Sequence, residues 1–86
     1  MANYTIVLSK KAQKQLDKLS DHIAEPILNA IADLKENQKP AGYKKLKGRP
    51  GYRVRVGDYR IIYDIFDSEL IIDIITLGHR KDIYEK

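Results

Sequence analysis

Apolar and polar residues alternate on both sides of a Gly-Asp pair in the segment 52–63. Two such runs joined by two turn residues are typical of a β-hairpin, which we predict here. In that register Arg55 lies opposite Arg60. Because side chains alternate between the two faces of a strand, Arg53 shares their face. Like charges placed opposite each other destabilise a strand pair, so three arginines on one face indicate an anionic ligand.

The pattern elsewhere predicts two helices between a first strand and this hairpin. Ser9 is a candidate N-cap, and apolar residues then recur at the three- and four-residue spacing of amphipathic helices. The predicted order β-α-α-β-β-β gives an α+β fold, in which an antiparallel sheet carries an N-terminal αα-hairpin on one face. The remaining elements of this order are a strand over 4–8, helices over 10–19 and from 21 to near 37, and a last strand over 70–77; the basic loop could add a brief strand around 43–46, which the order does not count.

Length, cysteine content, charge and hydropathy limit which classes of protein this chain can belong to. A chain of 86 residues predicts one domain spanning 1–86, and the absence of cysteine excludes disulfides and thiolate metal sites. The net charge is +4, and between residues 39 and 60 Asp58 is the only acid among the lysines and arginines. This favours an anionic partner such as nucleic acid. No apolar run approaches the length of a membrane span and no signal-peptide pattern is present, so we expect a cytoplasmic protein without a membrane partner.

Three basic features coincide along the chain: the lysine-rich loop 43–48, the arginine hairpin 52–63, and the closing segment 78–84, Gly-His-Arg-Lys-Asp-Ile-Tyr. Together they closely resemble the RelE family of toxins, within the RelE/ParE superfamily. The resemblance covers nearly the whole chain and is most specific in the hairpin and in the closing segment. It implies a single RelE-like toxin domain that is a ribosome-dependent endoribonuclease, cutting mRNA in the ribosomal A site.

The resemblance also implies partners and residue roles. The partners are a cognate antitoxin of the RelB type, the ribosome with its rRNA, and mRNA as substrate. The residues that match the family's catalytic positions are Arg53, Arg55, Arg60, Arg80 and Tyr84, and we add His79, which precedes Arg80, as a further catalytic candidate. We expect nucleic-acid contacts from Lys44, Lys45, Lys47 and Arg49.

The expected chemistry is attack of the neighbouring 2′-hydroxyl on the phosphate, without a metal or a cofactor. Arginine suits the stabilisation of phosphate charge, because its planar fork binds two oxygens and keeps its proton. The family often carries lysine in the first hairpin strand, whereas this chain has arginine, which is a poor base. Proton transfer should therefore shift to His79 or Tyr84. We place Arg80 or His79 near the leaving group and Tyr84 near the 2′-hydroxyl, leaving open which one acts as acid or base.

Two other functions remain open from the sequence. A ParE-like member of the superfamily would inhibit DNA gyrase without cleaving RNA, and a non-catalytic nucleic-acid-binding module would need only the basic charge. The arginines together with His79, Arg80 and Tyr84 favour the nuclease, because a gyrase inhibitor has no need of an acid–base pair. Asp64 and Asp73 share the arginine face but lack further ligands, so we expect no metal site there.

Overall fold

The computed structural model describes residues 3–79. Their elements run in the order of a strand, two helices and four further strands, which confirms the α+β class. The bounds are β1 Thr5–Leu8, α1 Lys10–Asp17, α2 Asp21–Asp33, β2 Lys44–Lys45, β3 Tyr52–Val56, β4 Tyr59–Phe66 and β5 Ile71–His79.

The five strands form one mixed sheet in the order β1-β5-β4-β3-β2. The pairs from β2 to β5 are antiparallel, as predicted, whereas β1 lies parallel to β5. The expectation of a wholly antiparallel sheet is therefore wrong at one pair. The alternation of side chains in β1 is the same for either direction of pairing, so the sequence pattern of this strand could not distinguish them.

Serine 9 connects the first strand to the first helix. Its side chain accepts a hydrogen bond from the Ala12 N–H at 3.0 Å, which confirms the predicted N-cap, and donates to the Ile75 carbonyl at 2.7 Å. Its own N–H donates to the Ile74 carbonyl at 3.0 Å. The start of α1 is thereby fixed to β5 at the point where the pairing of β5 with β1 ends.

The core lies between the helices and one face of the sheet. Helix α1 packs on β5 and β1, while α2 packs on β3. Burying these apolar side chains supplies most of the favourable free energy of folding. The buried cluster consists of Ala12, Leu16, Ile27, Ile31, Leu34, Val54, Ile61, Tyr63, Ile72, Ile74 and Leu77. Neither helix described in residues 3–79 has the length and apolar character needed to cross a membrane.

The β3–β4 hairpin has the predicted register. Val54 lies opposite Ile61, Arg55 opposite Arg60, and both apolar partners are buried. Gly57 has a φ of 60° whereas Asp58 does not take a positive φ, which is the geometry of a type II′ turn with glycine at its first central position. The hairpin is therefore held in one register by its turn and by its buried face.

Candidate nucleic-acid interface

The side of the sheet away from the helices carries four cations close together. Val54 and Ile61 face the core, so their neighbours on β3 and β4 project from the opposite side, which we call the outer face. Lys44 pairs with Arg53, so it shares that face, next to the opposed pair Arg55 and Arg60. We call this group of side chains the cationic face: Lys44, Arg53, Arg55 and Arg60.

Burial and like charge both disfavour the cationic form of Arg53 within the cationic face. Partial burial lowers the pKa of the Arg53 guanidinium, and the positive charges of Arg60 and Arg55 lower it further. Arginine nevertheless remains protonated in proteins, so this lowering leaves the Arg53 side chain charged at neutral pH. Arg53 and Arg60 are half-buried and Arg55 is exposed. An anion bound across these groups would relieve their repulsion, and a phosphate group matches the forked geometry of guanidinium.

The basic loop between β2 and β3 is folded back on itself. The Leu46 N–H donates to the Gly51 carbonyl at 3.0 Å, and the Leu46 side chain is buried. Gly51 has a φ of 124°, and a Cβ there would lie 3.1 Å from Leu46 Cδ1, so glycine is required. Lys47 and Arg49 are exposed on this loop. Lys45 pairs with Tyr52 and therefore projects from the helix side, unlike Lys44.

The predicted acid–base residues are not all brought to the cationic face. His79 belongs to β5 and does not follow the strand as expected; it pairs with Tyr59, and the two ring centroids are 5.6 Å apart in an edge-on arrangement. Since Leu77 faces the core, His79 two residues later projects from the helix side, away from the arginines. Arg80 and Tyr84 lie outside the described residues.

A cleft of about 580 Å³ opens at this end of β5. Its lining includes Lys11 and Gln15 of α1, Lys18 just after that helix, Arg49 of the basic loop and His79. The Gln15 side-chain oxygen accepts from the Leu77 N–H at 2.9 Å, so α1 covers part of the strand edge that β1 leaves open. Arg49 is thus placed at this cleft and not on the cationic face.

Three tyrosine rings contact one another in sequence and form a column that starts in the core. Tyr63 is fully buried, and its ring centroid is 5.8 Å from that of Tyr52, which in turn is 6.1 Å from that of Tyr43. The Tyr63 hydroxyl donates to the Gln38 carbonyl at 2.8 Å. The alternation of residues 52–63 placed Tyr52 and Tyr63 on the core side, but nothing in the sequence indicated the partner of the hydroxyl group.

Removing the Tyr63 hydroxyl is expected to change how stability depends on alkaline pH. Burial, then the neighbouring Tyr52 and Tyr43, raise the pKa of Tyr63 to about 12. Unfolding returns the phenol to its ordinary pKa of about 10, so its stabilising contribution is complete below pH 10 and is lost as the pH rises to 12. The free energy of unfolding of the natural chain, relative to Tyr63→Phe, should fall by about 1.4 kcal/mol per pH unit across that interval.

Urea titrations of both proteins between pH 8 and pH 12 check this. Titration of the lysines and the other tyrosines is common to both chains and cancels in the difference. A difference that stays constant from pH 9 to pH 12 would show that the Tyr63 phenol has an ordinary pKa in the folded state.

The comparison with known proteins agrees with this architecture. Residues 6–84 match the family model described as ParE toxin of type II toxin–antitoxin system, parDE. The chain belongs to the ParE toxin family. The predicted membership of the RelE/ParE superfamily is thereby confirmed, and the chain is the toxin of a type II toxin–antitoxin system.

Individual relatives of this toxin include proteins named RelG and RelE. It is 29% identical over 85 residues to Toxin RelG of Mycobacterium tuberculosis, covering 96% of this chain and 98% of that one. It is 24% identical over 81 residues to the mRNA interferase toxin RelE of Escherichia coli, covering 91% and 84%. The toxin–antitoxin complex RelBE2 from Mycobacterium tuberculosis has a similar structure, with a TM-score of 0.82, 28% identity, and coverage of 95% and 97%.

Proposed function

We propose that this toxin is a ribosome-dependent endoribonuclease that cleaves mRNA in the ribosomal A site. The observation that supports this most strongly is the cationic face, where Arg55 and Arg60 are set opposite each other and Arg53 lies beside them. Like charges set opposite each other destabilise a strand pair, and an anionic ligand would offset that cost. The relationship to a protein named mRNA interferase makes RNA the favoured anion.

The proposed reaction is attack of a ribose 2′-hydroxyl on the adjacent phosphate with departure of the 5′-oxygen. Arginines of the cationic face bind the non-bridging oxygens and stabilise the charge that develops on them. We assign removal of the 2′-hydroxyl proton to Tyr84, acting as a general base. We place Arg80, in preference to His79, beside the leaving 5′-oxygen, where its charge stabilises the departing alkoxide until water protonates it, because the His79 ring packs against Tyr59 on the other side of the sheet.

A cognate antitoxin of the RelB type is the proposed regulatory partner. The similar structure from Mycobacterium tuberculosis is a toxin–antitoxin complex, which supports this assignment. An acidic segment of such a partner would neutralise the cationic face and exclude RNA from it. Lys47 and Arg49, both exposed, are proposed to contact rRNA phosphates.

A second candidate function is inhibition of DNA gyrase without nuclease activity, and the description of the matched family as ParE toxin favours it. One experiment separates the two. Purified toxin is added to ribosomes programmed with a defined mRNA, to the same mRNA alone, and to gyrase with relaxed plasmid. Cleavage only in the presence of ribosomes, with normal supercoiling, supports the nuclease. Intact mRNA with loss of supercoiling supports the gyrase inhibitor and excludes the proposed function.

A further inference from the structure

The segment between α2 and β2 is held at its start by two independent sets of hydrogen bonds. The Gln38 side-chain amide donates to the carbonyls of Leu34 and Lys35, each at 3.0 Å, and so fixes Gln38 to the end of the helix region. The Gln38 carbonyl accepts from the Tyr63 hydroxyl at 2.8 Å. Tyr63 is 0% exposed, so this second attachment is made to the centre of the core.

The same tyrosine column holds the segment at its far end. Tyr43, the residue immediately before β2, contacts Tyr52, and Tyr52 contacts Tyr63. The Tyr43 N–H donates to the Pro40 carbonyl at 3.0 Å, which closes a turn within the segment. The Lys39 ammonium lies 5.6 Å from the centroid of the Tyr52 ring, within the range of a cation–π interaction. Both ends of the segment therefore depend on one aromatic column that begins at Tyr63.

Apart from the tyrosine column, strand β2 is held by its pairing with β3 and by Leu46, which follows it with a buried side chain and an N–H bond to the Gly51 carbonyl. It contains two residues, lies at the edge of the sheet, and pairs only with β3, through Lys44 with Arg53 and Lys45 with Tyr52. Such a short ladder is of marginal stability without side-chain packing. Lys44 is the only contribution of this strand to the cationic face, so its placement beside Arg53 requires the strand to be held in register.

We infer that Tyr63 is a positioning residue for the cationic face: through Gln38 and the Tyr52–Tyr43 contacts it holds Lys44 beside Arg53. Tyr63 itself lies on the core side of the sheet and does not reach the ligand. The inference rests on the proposed function, since it takes RNA phosphate as the ligand of the face.

The test compares two substitutions that each remove one phenolic hydroxyl. Tyr63→Phe keeps the buried ring and removes the bond to Gln38. Tyr4→Phe removes the bond that the Tyr4 hydroxyl donates to Asp67 Oδ1 at 2.6 Å, in the turn between β4 and β5, and leaves the basic loop untouched. The measurement is the affinity for a short single-stranded RNA at several salt concentrations.

The expected result is a change of salt dependence in one variant only. Losing one phosphate contact reduces the slope of log affinity against log salt by about 0.7. The affinity of Tyr63→Phe relative to that of the natural chain should therefore be about fivefold lower at 0.1 M salt than at 1 M salt. Tyr4→Phe should keep the slope of the natural chain. An unchanged slope in Tyr63→Phe, or the same reduction in both variants, would overturn the inference.

A double-mutant cycle separates positioning from general destabilisation. Lys44→Gln should reduce the slope by the same amount, and Tyr63→Phe should have no further effect in the Lys44→Gln background, because the contact that it positions is already absent. Additive losses would overturn the inference. If Lys44→Gln itself leaves RNA affinity unchanged while Tyr63→Phe lowers it, the positioning role is excluded. If neither the cationic-face arginines nor Lys44 affects RNA binding, it is the proposed function that fails.

Tyr43→Leu provides the same test without a change in the core. Its side chain is 38% exposed, so the substitution can be made without opening a buried cavity. It removes the outer ring of the column and should reduce the salt slope as Tyr63→Phe does. Amide hydrogen exchange at Leu46, whose N–H bonds to the Gly51 carbonyl, should also become faster in both column variants and stay unchanged in Tyr4→Phe. Unchanged exchange and slope in Tyr43→Leu would contradict a role for the column.

Discussion

Replacing Arg53, Arg55 and Arg60 together by glutamine is expected to abolish cleavage of ribosome-bound mRNA. An arginine that contacts the phosphate would stabilise the additional charge that develops in the transition state, and removing one such donor typically costs about 10²–10³ in rate. Single-turnover cleavage by the purified variants measures the effect directly. The matched control is a variant with Lys10, Lys14 and Lys35 replaced by glutamine, three exposed lysines whose loss lowers the net charge equally. Equal loss of cleavage in the control would show that total charge matters and the cationic face does not.

The same residues are expected to favour phosphate binding while lowering the free energy of unfolding. Arg55 is exposed and lies opposite Arg60, so Arg55→Gln removes a like-charge pair. Such pairs destabilise by roughly 0.2–1 kcal/mol, and the free energy of unfolding should rise by that amount. A variant that is both less active and more stable than the natural chain would indicate that these arginines contribute to ligand binding and not to the stability of the fold.

Tyr84→Phe is expected to slow cleavage by about 10²–10⁴-fold, the usual contribution of a positioned general base. The substitution keeps an aromatic ring at position 84 and removes only the hydroxyl group. Affinity for programmed ribosomes should change little, because binding depends on phosphate contacts to cations. Measuring cleavage and ribosome binding on the same preparation separates the two effects. If affinity falls as far as cleavage does, the Tyr84 hydroxyl contributes to RNA binding through a hydrogen bond and another group takes the proton.

Local features of the fold could be predicted from the sequence. The hairpin register follows from strict alternation around a Gly-Asp turn, and the Ser9 cap follows from a serine placed directly before a helical pattern. In both cases the interacting groups are within a few residues of each other, so the pattern contains the information. The gathering of Arg53, Arg55 and Arg60 on one face is a direct consequence of that register.

Features that depend on distant parts of the chain could not be predicted. The parallel pairing of β1 with β5 and the bond from Tyr63 to Gln38 join segments that are far apart in sequence. The position of His79 illustrates the same limit. Gly78 favoured an end to the last strand, but pairing of Tyr59 with His79 extends β5 by two residues and fixes the side from which the histidine projects. The catalytic roles of the candidate residues stay predictions.

The central claim is that the cationic face binds the scissile phosphodiester of ribosome-bound mRNA. Its most direct test is a map of cleaved mRNA ends after induction of the toxin. The natural chain should produce cuts within translated codons, each leaving a 5′-hydroxyl on the downstream fragment, and the variant lacking Arg53, Arg55 and Arg60 should produce none. Growth inhibition by the natural chain with mRNA left intact, or the same cuts from the arginine variant, would contradict the claim.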